Sequence, residues 1–143
     1  MSGYVIDASV AVKWVVSEPY SDQAAALLDG NQVLCAPELI FAETANALWA
    51  MARRGDFGRD SLRDALDLLL EAPIAIPAPM RQLAPAAARL AIDLNHPAHD
   101  CFYLALALQE QRPMVTADRR FYAKVSGHAY LSSAALHVSE VRV

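Results

Sequence analysis

The sequence contains few of the residues that interrupt or cross-link a polypeptide. Only five of its 143 residues are glycine, and its two cysteines, Cys35 and Cys101, lie far apart with no C-x-x-C spacing. The scarcity of glycine excludes collagen-like and linker-like sequences, and the isolated cysteines predict two buried thiols in a reducing compartment. The glycine motifs of dinucleotide-binding proteins, P-loop proteins and α/β-hydrolases are missing, which removes three common functions of α/β domains.

The sequence also has fewer positively charged residues than negatively charged ones. Twelve lysines and arginines stand against 16 aspartates and glutamates, which gives a net charge of −4. The protein as a whole therefore has no basic field that could hold a polyanion, and a nucleic-acid partner would have to be bound by local groups.

The sequence offers no apolar run of membrane-spanning length. The N-terminal apolar stretch, residues 4–16, is interrupted by Asp7 and Lys13 and is not preceded by a basic leader. A transmembrane helix needs about 20 apolar residues, so we expect no membrane segment and a cytoplasmic protein.

The residues that are plentiful indicate a helix-rich folded protein. Hydrophobic residues make up 55% of the chain and charged residues 20%, and alanine occurs 28 times. This composition excludes disordered and all-β sequences. The length is that of one ordinary domain, so we expect a single domain over residues 1–143.

Short apolar segments alternate along the chain with longer segments of helical periodicity. The predicted strands are 4–6, 33–35, 74–76 and 113–116, with a further edge strand over 129–131. The predicted helices are 10–16, 21–29, 37–52, 61–70, 83–94 with Pro85 in its first turn, a run that begins at Pro97, and 119–126. Short buried strands separated by helices favour a parallel sheet covered on both faces. We therefore predict a three-layer α/β/α domain with a short-stranded, mainly parallel central sheet.

Four acidic residues stand out by their positions relative to these elements. Asp7 and Asp118 follow predicted strands, Asp100 lies in the first turn of a helix, and Glu43 lies inside a helix among alanines and leucines. In open parallel sheets the reactive crevice lies beyond the carboxyl ends of the strands. The alternative is structural, because an aspartate at a helix start caps free N–H groups, and Glu43 could belong to an exposed stripe with Asn46 and Arg53.

If these four carboxylates converge, their mutual repulsion favours a bound cation. Oxygen ligands suit Mg²⁺ or Mn²⁺, which keep several waters and accept a phosphate oxygen as a further ligand. Such an ion supports phosphodiester hydrolysis. His96 and His99 adjoin Asp100, but no H-E-x-x-H motif occurs and the thiols are remote, so we expect surface or helix-start positions for them rather than a zinc site.

Four ordered motifs resemble the PIN-domain family, and specifically its VapC-type toxins. They are YVIDASVAVKW at the start, PELIFAETANAL in the predicted central helix, HDCFYLALA, and VTADRRF near the last strand and turn. The third is similar to the usual Tyr-Asp-x-x-Tyr-Leu-Ala-Leu-Ala of the family, with His99 where tyrosine is common. The similarity covers residues 3–131.

The resemblance implies a Mg²⁺-dependent endoribonuclease, with Mn²⁺ as a substitute, that stops translation by cutting RNA. It further implies a VapB-like antitoxin that inhibits the enzyme, and a homodimer. By resemblance the acidic metal-site residues are Asp7, Glu43, Asp100 and Asp118. The same comparison places Ser9, Asn46 and Thr116 at polar positions near that site. A basic group of Arg119, Arg120 and Lys124 follows Asp118 closely and could position RNA phosphates.

Two other functions remain open from the sequence. A phosphoacceptor receiver module also gathers acids above a parallel sheet, although the predicted strand 74–76 is not followed by the aspartate that such a module needs. In a non-catalytic PIN-like binding protein, the four acids would only cap helices. Divalent-ion binding separates the nuclease from this last possibility.

Overall fold

A parallel sheet of five short strands forms the middle layer of the fold. The computed structural model describes residues 2–142, and in them the strands are β1 (Gly3–Ile6), β2 (Val33–Cys35), β3 (Ile74–Ala75), β4 (Met114–Thr116) and β5 (Ala135–His137). Their order in the sheet is β3-β2-β1-β4-β5, and each neighbouring pair is parallel.

Helices cover both faces of this sheet. They are α1 (Ala8–Val15), α2 (Ser21–Asp29), α3 (Leu39–Arg53), α4 (Arg59–Glu71), α5 (Met80–Leu94), α6 (Ala98–Glu110) and α7 (Arg119–Ser126), followed by a 3₁₀ turn over Val138–Glu140. Within the described part of the chain this is a three-layer α/β/α arrangement, which confirms the predicted fold class.

The central strands are apolar because both of their faces are buried. Val5 and Ile6 in β1 and Met114 and Val115 in β4 are completely inaccessible to solvent. A strand that is buried on both faces shows a continuous apolar run instead of alternation, which is why three or four residues were enough to predict it. Both thiols are buried and unpaired, as predicted.

The last strand lies later in the chain than the sequence predicted. Residues 129–131 form turns, in which the backbone N–H of Leu131 donates to the carbonyl of His128 at 3.1 Å. These local bonds occupy groups that a strand would use for pairing, so the predicted edge strand is wrong. The edge strand is β5 instead, paired with β4 from Met114 opposite Ala135 to Thr116 opposite His137.

Helix α5 also begins earlier than predicted. It starts at Met80, directly after Pro79 in an extended conformation, and Pro85 therefore lies inside the helix and not in its first turn. Proline has no N–H, so the helix loses the hydrogen bond that this residue would donate one turn back. The apolar face of α5, with Leu83, Ala87 and Leu90 buried, stabilises the helix despite this loss.

The sheet brings the chain segments that follow β1 and β4 together at the carboxyl ends of these strands. In the register of β1 and β4, Ile6 lies opposite Val115, so the residues that follow both strands emerge side by side. Helix α1 follows β1 and packs against α3, while α6 packs against β1 and β4.

Among residues 2–142, no helix has both the length and the apolar character needed to cross a lipid bilayer.

Candidate active site

A pocket of about 200 Å³ lies at the carboxyl ends of β1 and β4. Side chains from four separate segments line it: Asp7, Ala8, Ser9, Val12, Glu43, Ala47, Asp100, Tyr103 and Asp118. The fold therefore gathers at one place the four acidic residues that the sequence singled out. Their roles as metal ligands or catalytic groups stay predictions.

Asp7 is the most deeply buried of the four acids. It ends β1, caps α1 by accepting a hydrogen bond from the backbone N–H of Val10 at 3.3 Å, and is 7% exposed. Burial raises the pKa of its carboxyl to about 7, and the nearby charge of Asp100 adds to that rise. Hydrogen bonds from the Ser9 and Thr116 hydroxyls act in the opposite direction, but they are outweighed.

Ser9 connects the segment that follows β1 with the segment that follows β4. Its hydroxyl donates to Asp7 and accepts from the backbone N–H of Ala117 at 2.8 Å. The Thr116 hydroxyl lies 3.4 Å from the Ser9 hydroxyl and accepts from the backbone N–H of Asp118 at 3.1 Å. Both predicted polar residues therefore lie beside Asp7, where they fix the segment after β4 relative to α1.

Glu43 projects from α3 and is held by two residues of α6. The Tyr103 hydroxyl donates to Glu43 Oε1 at 2.6 Å, and His99 Nδ1 lies 2.8 Å from Glu43 Oε2. Tyr103 is 1% exposed, and burial raises the pKa of its phenol far above its ordinary value, with the hydrogen bond to Glu43 adding to the shift. Tyr103 is therefore a permanent donor to one oxygen of Glu43.

Asp100 has histidine partners on both of its oxygens. His96 Nε2 lies 2.7 Å from Asp100 Oδ2, and His99 Nδ1 lies 3.3 Å from Asp100 Oδ1. The other ring nitrogen of His96 faces Lys124 Nζ at 3.3 Å. Because an ammonium group is only a donor, this nitrogen accepts and the ring proton belongs on Nε2, from which it is donated to Asp100.

The His96 ring is itself fixed by packing. Its side chain is 6% exposed and stacks on the ring of Phe121, with the ring centres 4.5 Å apart. His96 is therefore not a surface side chain, but it lies directly before Pro97, the N-cap of α6, so its position fits the helix-start part of the prediction. His99 fits both parts, with a side chain that is 57% exposed at the start of α6.

Asp118 lies at the rim of the pocket. It is exposed, and its carboxylate accepts from the backbone N–H of Phe121 at 3.1 Å, which caps α7. The capping alternative is thus correct for Asp7 and Asp118, and yet both residues also line the pocket. Capping and membership of a site are compatible because the ends of these strands are also the starts of the following helices.

Three predicted residues do not line the pocket. Thr116 is one of them, with its hydroxyl behind Ser9. Asn46 is exposed on α3. The Arg119 guanidinium donates to the Tyr20 hydroxyl at 2.8 Å and lies 5.9 Å from the centre of the Tyr20 ring. Their assignment to substrate positioning stays a prediction.

The residues that orient the acids by hydrogen bonds were not predicted from the sequence. Tyr103 lies three residues after Asp100, a spacing that puts both on one side of α6. This spacing was a usable signal. His96 and His99 were noted beside Asp100, but their contacts depend on elements that are distant in the sequence.

The donor atoms fit a divalent cation. One ligand atom each from Glu43, His99 and Asp100 lie within 4.8 Å of one another. Asp7 adds a carboxylate whose ionised form is penalised by burial, and a cation in the pocket would offset that penalty. Oxygen-rich sites of this kind suit hard divalent ions.

Comparison with known proteins gives the family of the chain. A family model described as PIN domain matches residues 4–126. Ribonuclease VapC3 of Pyrobaculum aerophilum is 31% identical over 121 residues, which cover 84% of this chain and 92% of that protein.

Two solved structures share the fold. PAE2754 from Pyrobaculum aerophilum superimposes with a TM-score of 0.67 at 22% identity, covering 96% of this chain and 85% of that one. VapC20 of Mycobacterium tuberculosis, a toxin that cleaves the sarcin–ricin loop, gives a TM-score of 0.66 at 15% identity and covers 85% and 94%. With the family model and the VapC3 relative, these findings establish that the chain belongs to the PIN domain family and resembles its VapC members.

Proposed function

We propose that the protein is a metal-dependent endoribonuclease and the toxin of a VapBC-type toxin–antitoxin pair. It hydrolyses phosphodiester bonds in RNA and thereby inhibits translation, with Mg²⁺ as its ion and Mn²⁺ as a substitute. The observation that carries this proposal is the convergence of Asp7, Glu43, Asp100 and Asp118, from four segments, on one pocket.

The four acids have two roles in this proposal. Asp7 and Asp100 are the direct ligands, and Glu43 and Asp118 act through water or orient it. Together these residues would hold a divalent ion, which would supply polarisation of the phosphate and stabilisation of the leaving oxygen. Tyr103 and His96 hold Glu43 and Asp100 in place, each by a hydrogen bond to the carboxylate.

RNA reaches this acidic protein through local positive charge. Arg119 and Arg120 are exposed at the start of α7, directly after Asp118, and Lys124 lies on the same helix. We infer that their side chains supply contacts to RNA phosphates beside the pocket. The contact of Arg119 with Tyr20 restricts its guanidinium without removing its charge.

The partners follow from the VapC relatives. We infer a VapB-like antitoxin that inhibits the enzyme, a homodimer in solution, and a cytoplasmic location. The similarity to Ribonuclease VapC3 supports the first of these inferences, the VapB-like antitoxin. No observation favours the receiver alternative, since β3 is followed by Ile76 and Pro77 and not by an aspartate.

Cleavage of RNA by the purified protein tests this function. With Mg²⁺ or Mn²⁺ the wild type is expected to cut RNA internally, and excess chelator is expected to stop the reaction. The Asp100→Asn variant is expected to lose at least about a thousandfold in rate, which corresponds to about 4 kcal/mol of barrier.

Asp93→Asn is the matched control, because Asp93 is an exposed aspartate of α5 that does not line the pocket. It is expected to cleave like the wild type. Cleavage that persists in chelator or in the Asp100→Asn variant would contradict the proposed mechanism. A wild type that neither binds divalent ions nor cleaves RNA would favour the non-catalytic alternative, in which the acids only cap helices.

A further inference from the structure

His99 lies where a ligand of the proposed ion would lie. It is the second residue of α6, and its Nδ1 is 2.8 Å from Glu43 Oε2 and 3.3 Å from Asp100 Oδ1. Adjacent ligands of an octahedral ion with bonds of about 2.1 Å are about 3.0 Å apart. The distance from His99 Nδ1 to Asp100 Oδ1 is close to that spacing, so these two atoms can share one ion with small movements, while Glu43 Oε2 lies beside them, where it can hold a water of that ion.

The remaining oxygens of both carboxylates are already engaged. Glu43 Oε1 accepts from Tyr103, and Asp100 Oδ2 accepts from His96. Each carboxylate is thus held by an outer partner on one oxygen and turns its other oxygen toward His99. Ligands of metal sites are commonly oriented in this way by hydrogen bonds from residues behind them.

From this juxtaposition we propose that His99 Nδ1 is a nitrogen ligand of the catalytic ion and raises the affinity of the site for Mn²⁺ more than for Mg²⁺. The proposal rests on the proposed function, since it concerns the same ion. Mg²⁺ binds oxygen almost exclusively, whereas imidazole suits the first-row transition ions. An imidazole among carboxylates therefore adds affinity for Mn²⁺ and little for Mg²⁺.

A second role for His99 makes the opposite prediction. If Nδ1 only donates hydrogen bonds to Glu43 and Asp100, the imidazole occupies space that the ion needs. Removal of the ring nitrogen would then strengthen the binding of both ions or leave it unchanged. The effect of substitution on the ratio of the two affinities therefore decides between the two roles.

Calorimetric titration of the full chain with Mn²⁺ and, separately, with Mg²⁺ measures that ratio. The His99→Phe variant keeps an aromatic ring and removes both nitrogens, and the side chain is exposed enough to accept phenylalanine. His99→Ala is titrated beside it. His128→Phe is the matched control, since His128 is not among the residues whose ligand atoms cluster with Glu43 and Asp100.

The wild type is expected to bind Mn²⁺ more tightly than Mg²⁺. Both His99 variants are expected to bind Mn²⁺ at least about tenfold more weakly, since even outer partners of metal ligands contribute factors of about 10 to 100. Their Mg²⁺ affinity is expected to change much less, and the control should match the wild type. An unchanged ratio, or tighter binding of both ions, overturns the role of His99. Failure of the wild type to bind either ion overturns the proposed metal dependence as well.

Electron spin echo spectroscopy of the Mn²⁺-loaded protein tests the bond directly. A coordinated imidazole nitrogen is expected to produce a nitrogen coupling in the wild type and in His128→Phe, and that coupling should be lost in His99→Phe. A wild-type spectrum without nitrogen coupling, or a coupling that persists in His99→Phe, refutes the assignment even if cleavage activity is normal.

Discussion

Replacing Asp7 with asparagine is expected to abolish RNA cleavage and, at the same time, to stabilise the ion-free protein at pH 8. The activity loss should be at least about a thousandfold, as for any direct ligand of the catalytic ion. The gain in stability follows from burial, which raises the pKa of this carboxyl to about 7. Asparagine keeps the acceptor oxygen that Ser9 and Val10 use and removes the charge.

The pH dependence of this gain has a definite sign. An aspartate in the unfolded chain ionises near pH 4. Between about pH 4 and pH 7 the folded protein holds a proton that the unfolded chain has released, so the stability of the wild type falls as the pH rises through this range. The proton-linked stabilisation is complete below that range and lost above it. At pH 8 the gain for Asp7→Asn is on the order of 2 to 4 kcal/mol.

Urea unfolding in chelator at pH 5 and pH 8 measures the free energy of unfolding of the wild type, of Asp7→Asn and of the control variant Asp93→Asn. Asp93→Asn, at an exposed position, should leave the wild-type pH dependence intact. If Asp7→Asn is less stable than the wild type at pH 8, the ionised carboxylate is not penalised by its surroundings. The electrostatic argument for a bound cation would then fail.

Replacing Phe121 with alanine is expected to lower the free energy of unfolding by about 3 to 5 kcal/mol. Phe121 is 1% exposed in the main core and is among the largest fully buried side chains. The loss is a large fraction of the roughly 5 to 15 kcal/mol that stabilises an ordinary domain. The substitution also removes the ring on which His96 stacks, so Asp100 loses a fixed partner and divalent-ion affinity should fall.

Phe121→Leu separates the two effects. Leucine retains most of the buried apolar surface, and the expected loss of stability is below about 1.5 kcal/mol. It lacks the flat ring, so ion affinity should still fall. Urea unfolding and calorimetry with Mn²⁺ give the two quantities. A loss of less than about 1 kcal/mol in Phe121→Ala would show that the ring does not support α7 and His96 as described.

The sequence predicted the middle of the sheet better than its edge. Residues in β1, β2 and β4 are apolar because both faces are buried, and that pattern is visible without a structure. The segment 129–131 has the same apolar character, but its backbone forms turns. Only the pairing of β4 with residues 135–137 shows which of the two segments, 129–131 or 135–137, forms the strand. Local composition does not reveal pairing between residues that are distant in the sequence.

The site shows the same division between local and distant information. The proximity of Asp7 and Asp118 was predictable because each follows the carboxyl end of a strand in a parallel sheet. The contacts of Glu43 with Tyr103 and His99 join residues 60 and 56 positions apart. No spacing rule covers such distances, so the donors that orient the acids became visible only when α3 and α6 were placed together.

The most direct test is the anomalous diffraction of a crystal grown with Mn²⁺. We predict an anomalous peak within the pocket, from an ion bonded to carboxylate oxygens of Asp7 and Asp100. A well-ordered crystal with no peak among these oxygens, or with peaks solely at acids elsewhere on the protein, would contradict it.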